Sequence, residues 1–378
     1  AGVVDGRYYN PTVLREIDSP MLVDDRIMLP PTFTWGNLIA NAPPSLSYPA
    51  FLNRNRTHNL SFSATKIAGR HSFKGGFYWY NALKNENLGI SGSIPFNGTI
   101  DFGNDSNNPL DTGFGFANAA LGVFSSFSQQ SRFVEGAYRY FNVEWYLQDN
   151  WRVTDRFTLD YGVRFTHQQP QHDSLYQASN FFTDRWSAAE APALYVPGCL
   201  GEAPCSGASR VAIDPITGHS LGAGSAVAIG TLVPGTGDPY NGIVPAGQGI
   251  AKENYVWAST VVAPRIGAAW DLTGTQSMVV RGSFGMFYDR PEGNMTSNQI
   301  GNPPHSTATT VRYSRLQDLG VSGLTTQAPA QLLVVEYETK IPTSLQWNAG
   351  VQMALPWASA LDVSYVGQYS YNRTGAGG

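Results

Sequence analysis

Between Tyr140 and Gln168 the chain reads YFNVEWYLQDNWRVTDRFTLDYGVRFTHQ, and apolar residues recur at every second position. Phe141, Val143, Trp145, Leu147, Trp151 and Val153 share one face, broken only by Asp149, while Asn142, Glu144, Gln148, Asn150 and Arg152 share the other. A period of two is that of a strand whose faces meet different surroundings. After a turn at Thr154-Asp155 the alternation resumes, with Phe157, Leu159, Tyr161, Val163 and Phe165 against Arg156, Thr158, Asp160, Arg164 and Thr166, so the spacing predicts a long hairpin. The same pattern predicts three more. One runs from Val262 to Tyr288 around Thr273-Gly274-Thr275, and one joins Leu345–Leu355 to Leu361–Tyr365 through Pro356-Trp357-Ala358. A weaker one joins Asn59–Ile67 to Ser72–Asn81 through Ala68-Gly69-Arg70.

The strands exceed the roughly 5 or 6 residues usual in soluble sheets. Twelve residues tilted by about 45° cover roughly 28 Å, close to the ~25 Å apolar band of an outer-membrane barrel. Connections alternate between short turns and long stretches, namely 82–135, 169–259 and 291–330. Tight turns on one edge and long loops on the other are the asymmetry of membrane barrels. The expected fold is therefore all-β, an antiparallel transmembrane β-barrel segment with short periplasmic turns and long extracellular loops in the cell outer membrane. No apolar run reaches the length of a membrane helix; the nearest, 220–233, is short and interrupted by glycine.

Charge then acquires a reason. Only 14% of the 378 residues are charged, against a usual ~25%. If alternate strand positions face lipid, they must be nearly free of charge, and Arg152, Arg156, Arg164, Arg265 and Arg281 all fall on the polar register. Trp145, Trp151, Tyr161, Trp270, Trp347 and Tyr365 fall on the apolar one, where Trp and Tyr suit the boundary between hydrocarbon and water; ordinary sandwich-core aromatics are the alternative. A net charge of −4 without basic clusters argues against nucleic acid as a partner.

Several segments carry a family resemblance. NVEWYLQDNWRVTDRFTLDYGVRF resembles the YxQDxWrvtxrLTLxxGxRy hairpin of TonB-dependent receptors. APRIGAAWDLTGTQSMVVRGSFGMFYDRP, TSLQWNAGVQMALPWASALDVSYVG and RHSFKGGFYW are similar to successive strands of the large Oar-like receptors in that family. The resemblance implies that 1–378 is part of the receptor barrel, with 169–259 a long extracellular loop within it. The expected partners are outer-membrane lipid, an imported small ligand (carbohydrate, peptide or siderophore) and the TonB complex, reached through an N-terminal part not seen here. No plug segment, TonB box or closing aromatic C-terminal strand is recognised. The alternatives are a passive outer-membrane channel and a secreted soluble β protein, an adhesin or carbohydrate binder.

Candidate chemistry is sparse. Cys199 and Cys205, in PGCLGEAPCSG, can close a small disulfide loop in an oxidising compartment, the alternative being two free thiols. His167, His172 and Asp173 read as a solvated strand rim, and the Asp101 to Asp111 stretch as a polar loop, since neither matches a metal motif. Glu144, Asp160 and Asp362 lie on the lumen register and Asp149 on the other, a distribution suited to solvating an interior. With no GxSxG, Walker or HExxH pattern, neither enzymatic activity nor a cofactor is expected. Tyr176, Trp186, Tyr195, Tyr240 and Trp257 are the loop aromatics that can offer stacking surfaces to a ligand.

Overall fold

The computed structural model describes residues 2–4, 7–9, 31–36, 53–87, 98–132, 134–258, 260–319 and 322–373. Eight long strands dominate it: β1 (Asn53–Ala68), β2 (His71–Asn87), β3 (Glu135–Arg152), β4 (Phe157–Gln168), β5 (Thr260–Asp271), β6 (Met278–Tyr288), β7 (Thr343–Leu355) and β8 (Ser359–Tyr371). Each is hydrogen-bonded to its sequence neighbours in an antiparallel meander from β1 to β8. Among the described residues β1 and β8 each pair on one side only. The hairpins are those expected from the alternation, but several strands run further. β2 continues to Asn87, so the following connection begins later than Ala82, and β8 reaches Tyr371.

Turn chemistry closes the short-turn edge of the sheet. Gly69 adopts a left-handed φ of 61° at the first position of the two-residue turn between β1 and β2, which a side chain would resist. The Thr154 hydroxyl accepts from the Arg156 and Phe157 N–H groups at 3.2 and 2.9 Å, closing the β3–β4 turn. The Asp271 carboxylate accepts from the backbone of Thr273, Gly274 and Gln276, closing β5–β6. Arg70 then ties two turns together, donating to Val153 O at 3.1 Å and pairing with Asp155 at 3.2 Å. At the other end of β5, Pro264 brings no N–H, and the ladder with β6 stops at Arg265↔Gly285. The Tyr288 hydroxyl bonds Val262 O beyond that point.

The pairing register keeps the two faces separate across all eight strands. One row runs Phe62, Phe77, Trp145, Phe165 and Val262; another runs Tyr161, Ile266, Phe284 and Trp347. On β1 this face carries Arg54, Arg56 and His58 towards the loops and Lys66 towards the turn, leaving Leu60, Phe62 and Ala64 between them. Charge thus flanks an apolar band whose large side chains stay exposed, Phe62 at 67% and Val363 at 59%. So wide an apolar surface requires an apolar environment.

The core of the molecule lies in the loops. Thr32–Thr34, Thr99–Asp101, Val123–Gln130, Ala308–Arg315 and Leu324–Thr326 form a separate five-stranded sheet. Ile100, Phe102, Phe124, Phe127, Val311 and Leu319 pack inside it, with Phe33 and Trp35 against them. A second cluster joins Val134, Tyr138, Ala178, Ala246 and Ile300. The loop 169–259, expected to be weakly patterned, is folded over its described residues 169–258 into short strands and 3-10 turns tied to this cluster. The apolar run 220–233 holds one such turn, Ser225–Ala228.

Candidate functional site

The polar register of the sheet is a ladder of cross-strand bonds. Arg164 donates to Glu144 at 2.9 Å, Asn150 to Asp160 at 2.6 Å, Arg281 to Gln352 at 2.7 Å and Asn348 to Ser283 at 2.7 Å. Gln368 donates to Ser344 at 2.9 Å between the last two strands. The carboxylates noted in the sequence therefore serve the wall: Glu144 and Asp160 have cross-strand partners, and Asp362 pairs in register with Gln352. Gly76 makes room for the Tyr146 ring, which lies against the strand where a Cβ would stand, and the Arg164 guanidinium lies 5.3 Å from that ring. A groove of about 380 Å³ opens on this wall, lined by Gln148, Asp160, Arg265, Ser283, Phe287 and Asn348 among others.

On the apolar face Trp145 stacks on Phe165 at 5.5 Å, and Trp347 lies over Gly367. Trp151 and Trp270 stand one residue from the turn-side ends of β3 and β5, whereas Trp145 and Tyr365 are in mid-strand. Asp149, the exception to the apolar pattern, has one carboxylate oxygen held by its neighbours and the other buried without a partner. His71 Nδ1 lies 2.6 Å from its carboxylate and the Tyr161 hydroxyl donates to it at 3.0 Å. The His71 ring is itself stacked between Phe73 at 5.4 Å and Trp151 at 5.2 Å. Three strands thus share one shielded polar contact near the turns.

A sheet with one apolar face, one polar wall, tight turns below and folded loops above is matched at the level of sequence by the family model described as outer membrane beta barrel domain, over residues 27–376. The chain belongs to that family. Its place is the outer membrane, with the polar register facing the lumen and the apolar register facing lipid; the secreted soluble alternative does not agree with this. A search of curated proteins found no match. Among solved structures, the ferric yersiniabactin uptake receptor FyuA from Yersinia pestis is similar over 85% of this chain and 29% of its own, at 12% identity and a TM-score of 0.33. The ferric citrate transporter FecA in its unliganded form is similar over 85% and 32%, at 8% identity and a TM-score of 0.25. The chain spans about three tenths of the length of each.

Above the barrel wall, the loop residues singled out in the sequence take different places. Tyr176 and Trp186 are exposed, while Tyr195 and Tyr240 are half-buried. Trp257 turns inward, donating its Nε1–H to Gln168 O at 2.7 Å. Cys199 and Cys205 are joined by a disulfide that braces the hairpin of Val196–Cys199 and Arg210–Ile213. His172 and Asp173 are not a solvated rim: they pair with Arg139 and Tyr138 of β3 and are buried, and Asp173 accepts from the N–H groups of Ala137 and Gln177. Burial holds the His172 imidazole below its ordinary pKa. The carboxylates of Asp105 and Asp111 are likewise consumed, by Asn107 and Asn118 of their own loop and by Tyr313 of the strand Ala308–Arg315. Among the described residues no group of three or more His, Cys, Asp and Glu side chains is placed to hold a metal ion.

The sequence reading passed over the loop-side end of the lumen. There Arg290, just beyond β6, lies 4.0 Å from the Tyr140 ring and 5.5 Å from that of Trp257. It donates to Gln169 O at 2.6 Å and to Asn142 Oδ1. Tyr80 and Tyr78 continue the aromatic column down β2. The available signal was the alternation itself, which puts Tyr78, Tyr80, Tyr140 and Asn142 on the polar register.

Proposed function

We propose that this chain is the ligand-capturing barrel portion of an outer-membrane receptor whose complete protein imports a small carbohydrate, peptide or siderophore under TonB control. The observation that carries the reading is the folded cap. Buried Asn180 donates to Asn254 O and Val335 O at 3.3 and 2.7 Å, and buried Asn302 donates to Ser179 O and Leu333 O, both at 2.9 Å. These amides fasten the connection between β4 and β5 to the connection between β6 and β7, making one surface. Binding surfaces gain from such preorganisation, because little ordering is left to be done on capture. The four segments resembling TonB-dependent receptors support the coupling to TonB. Further strands of the complete protein would cover the open edges of β1 and β8, which hydrocarbon does not tolerate.

The hydrogen-bonded polar wall also suits a passive, water-filled channel, and the two readings separate in one experiment. The complete protein is reconstituted in planar bilayers and, separately, mixed with the periplasmic domain of TonB. A closed, non-conducting barrel that binds TonB supports the receptor; steady conductance without TonB binding supports the channel.

A further inference from the structure

The loop-side mouth of the lumen holds a cation without an anion. Arg290 is half-buried, and among the described ion pairs no carboxylate lies within 4.0 Å of its guanidinium. Its Nη atoms are held by a backbone carbonyl and the Asn142 amide oxygen, both neutral, and its positive charge is met only by the π faces of Tyr140 and Trp257. A third donor, Nε–H, is buried without any partner. Beside it the Gln168 side chain, only 5% exposed, leaves its amide oxygen buried and unpartnered as well. Gln168 is in register with Asn142, the residue that holds the guanidinium, so the two unpaired groups flank one side chain at the same strand end.

A buried polar group without a partner is costly, and here a donor and an acceptor in that state meet at one strand end. Burying a lone guanidinium costs more still. The arrangement is complete when an oxygen with negative charge accepts from the unpartnered Nε–H and a hydroxyl of the same molecule bonds Gln168. Resting on the receptor reading, we propose that Arg290, Gln168 and Asn142 form an oxyanion subsite at the lumen mouth, selecting ligands that carry a carboxylate or phosphate beside a hydroxyl. Tyr140 and Trp257 hold the guanidinium flat and edge-on to the ligand, so they act as positioning residues.

Binding to the complete, detergent-solubilised protein tests this independently of TonB or of transport. Calorimetry is run with citrate, inorganic phosphate and uncharged maltotriose as probes. Citrate or phosphate should bind in preference to maltotriose, whichever is tighter naming the oxyanion. Arg290→Gln should weaken that binding roughly ten- to a hundredfold, the worth of a charge-assisted hydrogen bond, while Arg281→Gln on the wall below leaves it unchanged. Arg290→Lys and Gln168→Leu are measured in parallel in case Arg290→Gln does not assemble. Lysine keeps the charge but cannot serve three acceptors in one plane, so weakened binding in both variants supports the subsite. Equal binding in the wild type and all the Arg290 and Gln168 variants, or no oxyanion binding up to 10 mM, overturns it while leaving the receptor reading to its own test.

Discussion

Phe284 and Ser283 are neighbours on β6 at nearly the same depth, and the account places them in different solvents. Phe284 pairs with Ile266 and Trp347 on the lipid register, and Ser283 accepts from Asn348 on the lumen wall. The Phe284 side chain is 39% exposed, so about 80 Å² of a ring of roughly 200 Å² faces lipid, which at about 25 cal/mol/Å² amounts to some 2 kcal/mol. An arginine at the bilayer midplane costs about 2 to 4 kcal/mol more. Phe284→Arg should therefore destabilise the barrel by roughly 4 to 6 kcal/mol, whereas Ser283→Arg, entering a watery groove beside Arg265 and Arg281, should cost below about 1 kcal/mol. The assay is assembly yield and urea midpoint of the complete protein, read by the shift in gel mobility between unheated and boiled samples. Equal impairment by the two substitutions would refute the assigned inside and outside. Asn142 and Thr166 are poorer lumen controls, because Asn142 holds Arg290 and Thr166 is buried.

Three further outcomes are expected. Reducing the Cys199–Cys205 disulfide, or replacing both residues by serine, should cost the hairpin roughly 2 kcal/mol from the small loop it closes; tryptic cleavage at Arg210 should accelerate while the membrane strands stay protected. Trp357 and Ala358 hold left-handed φ values of 59° and 53° in the β7–β8 turn, so Ala358→Gly should raise stability by about 0.5 to 1 kcal/mol in urea denaturation, the relief of strain exceeding the entropy of glycine. Burial lowers the pKa of both His172 and His305 in the cap. The opened cap then binds more protons than the closed one, so cap stability is full above about pH 6.5 and falls as pH drops below it. Protection of residues 134–178 and 296–307 against hydrogen exchange, after division by the intrinsic exchange rate at each pH, should therefore be lower at pH 5 than at pH 7.5, and equal protection factors would contradict the assignment.

The strands were legible because lipid on one side and water on the other write a strict period of two into residues such as Phe157 to Phe165. Asp149 was legible only as an interruption. What holds it comes from His71 on β2 and Tyr161 on β4, and the sequence carries no mark of that meeting. The cap was not legible for a related reason. Its core joins Ile100 and Phe127 to Val311 of a connection about 180 residues later, in strands of three to eight residues that are buried without a regular alternation. Arg290 lies just beyond a strand end, where alternation no longer says which way a side chain turns.

The central claim, that alternate positions of each strand face lipid and lumen, is tested most directly by spin labels placed one at a time from Thr343 to Leu355 on β7 in the complete protein in vesicles. Labels at Leu345, Trp347, Ala349, Val351 and Met353 should be relaxed by oxygen, and those at Gln346, Asn348, Gly350 and Gln352 by a water-soluble nickel chelate, in strict alternation. Uniform access to the nickel chelate along the strand would contradict the account.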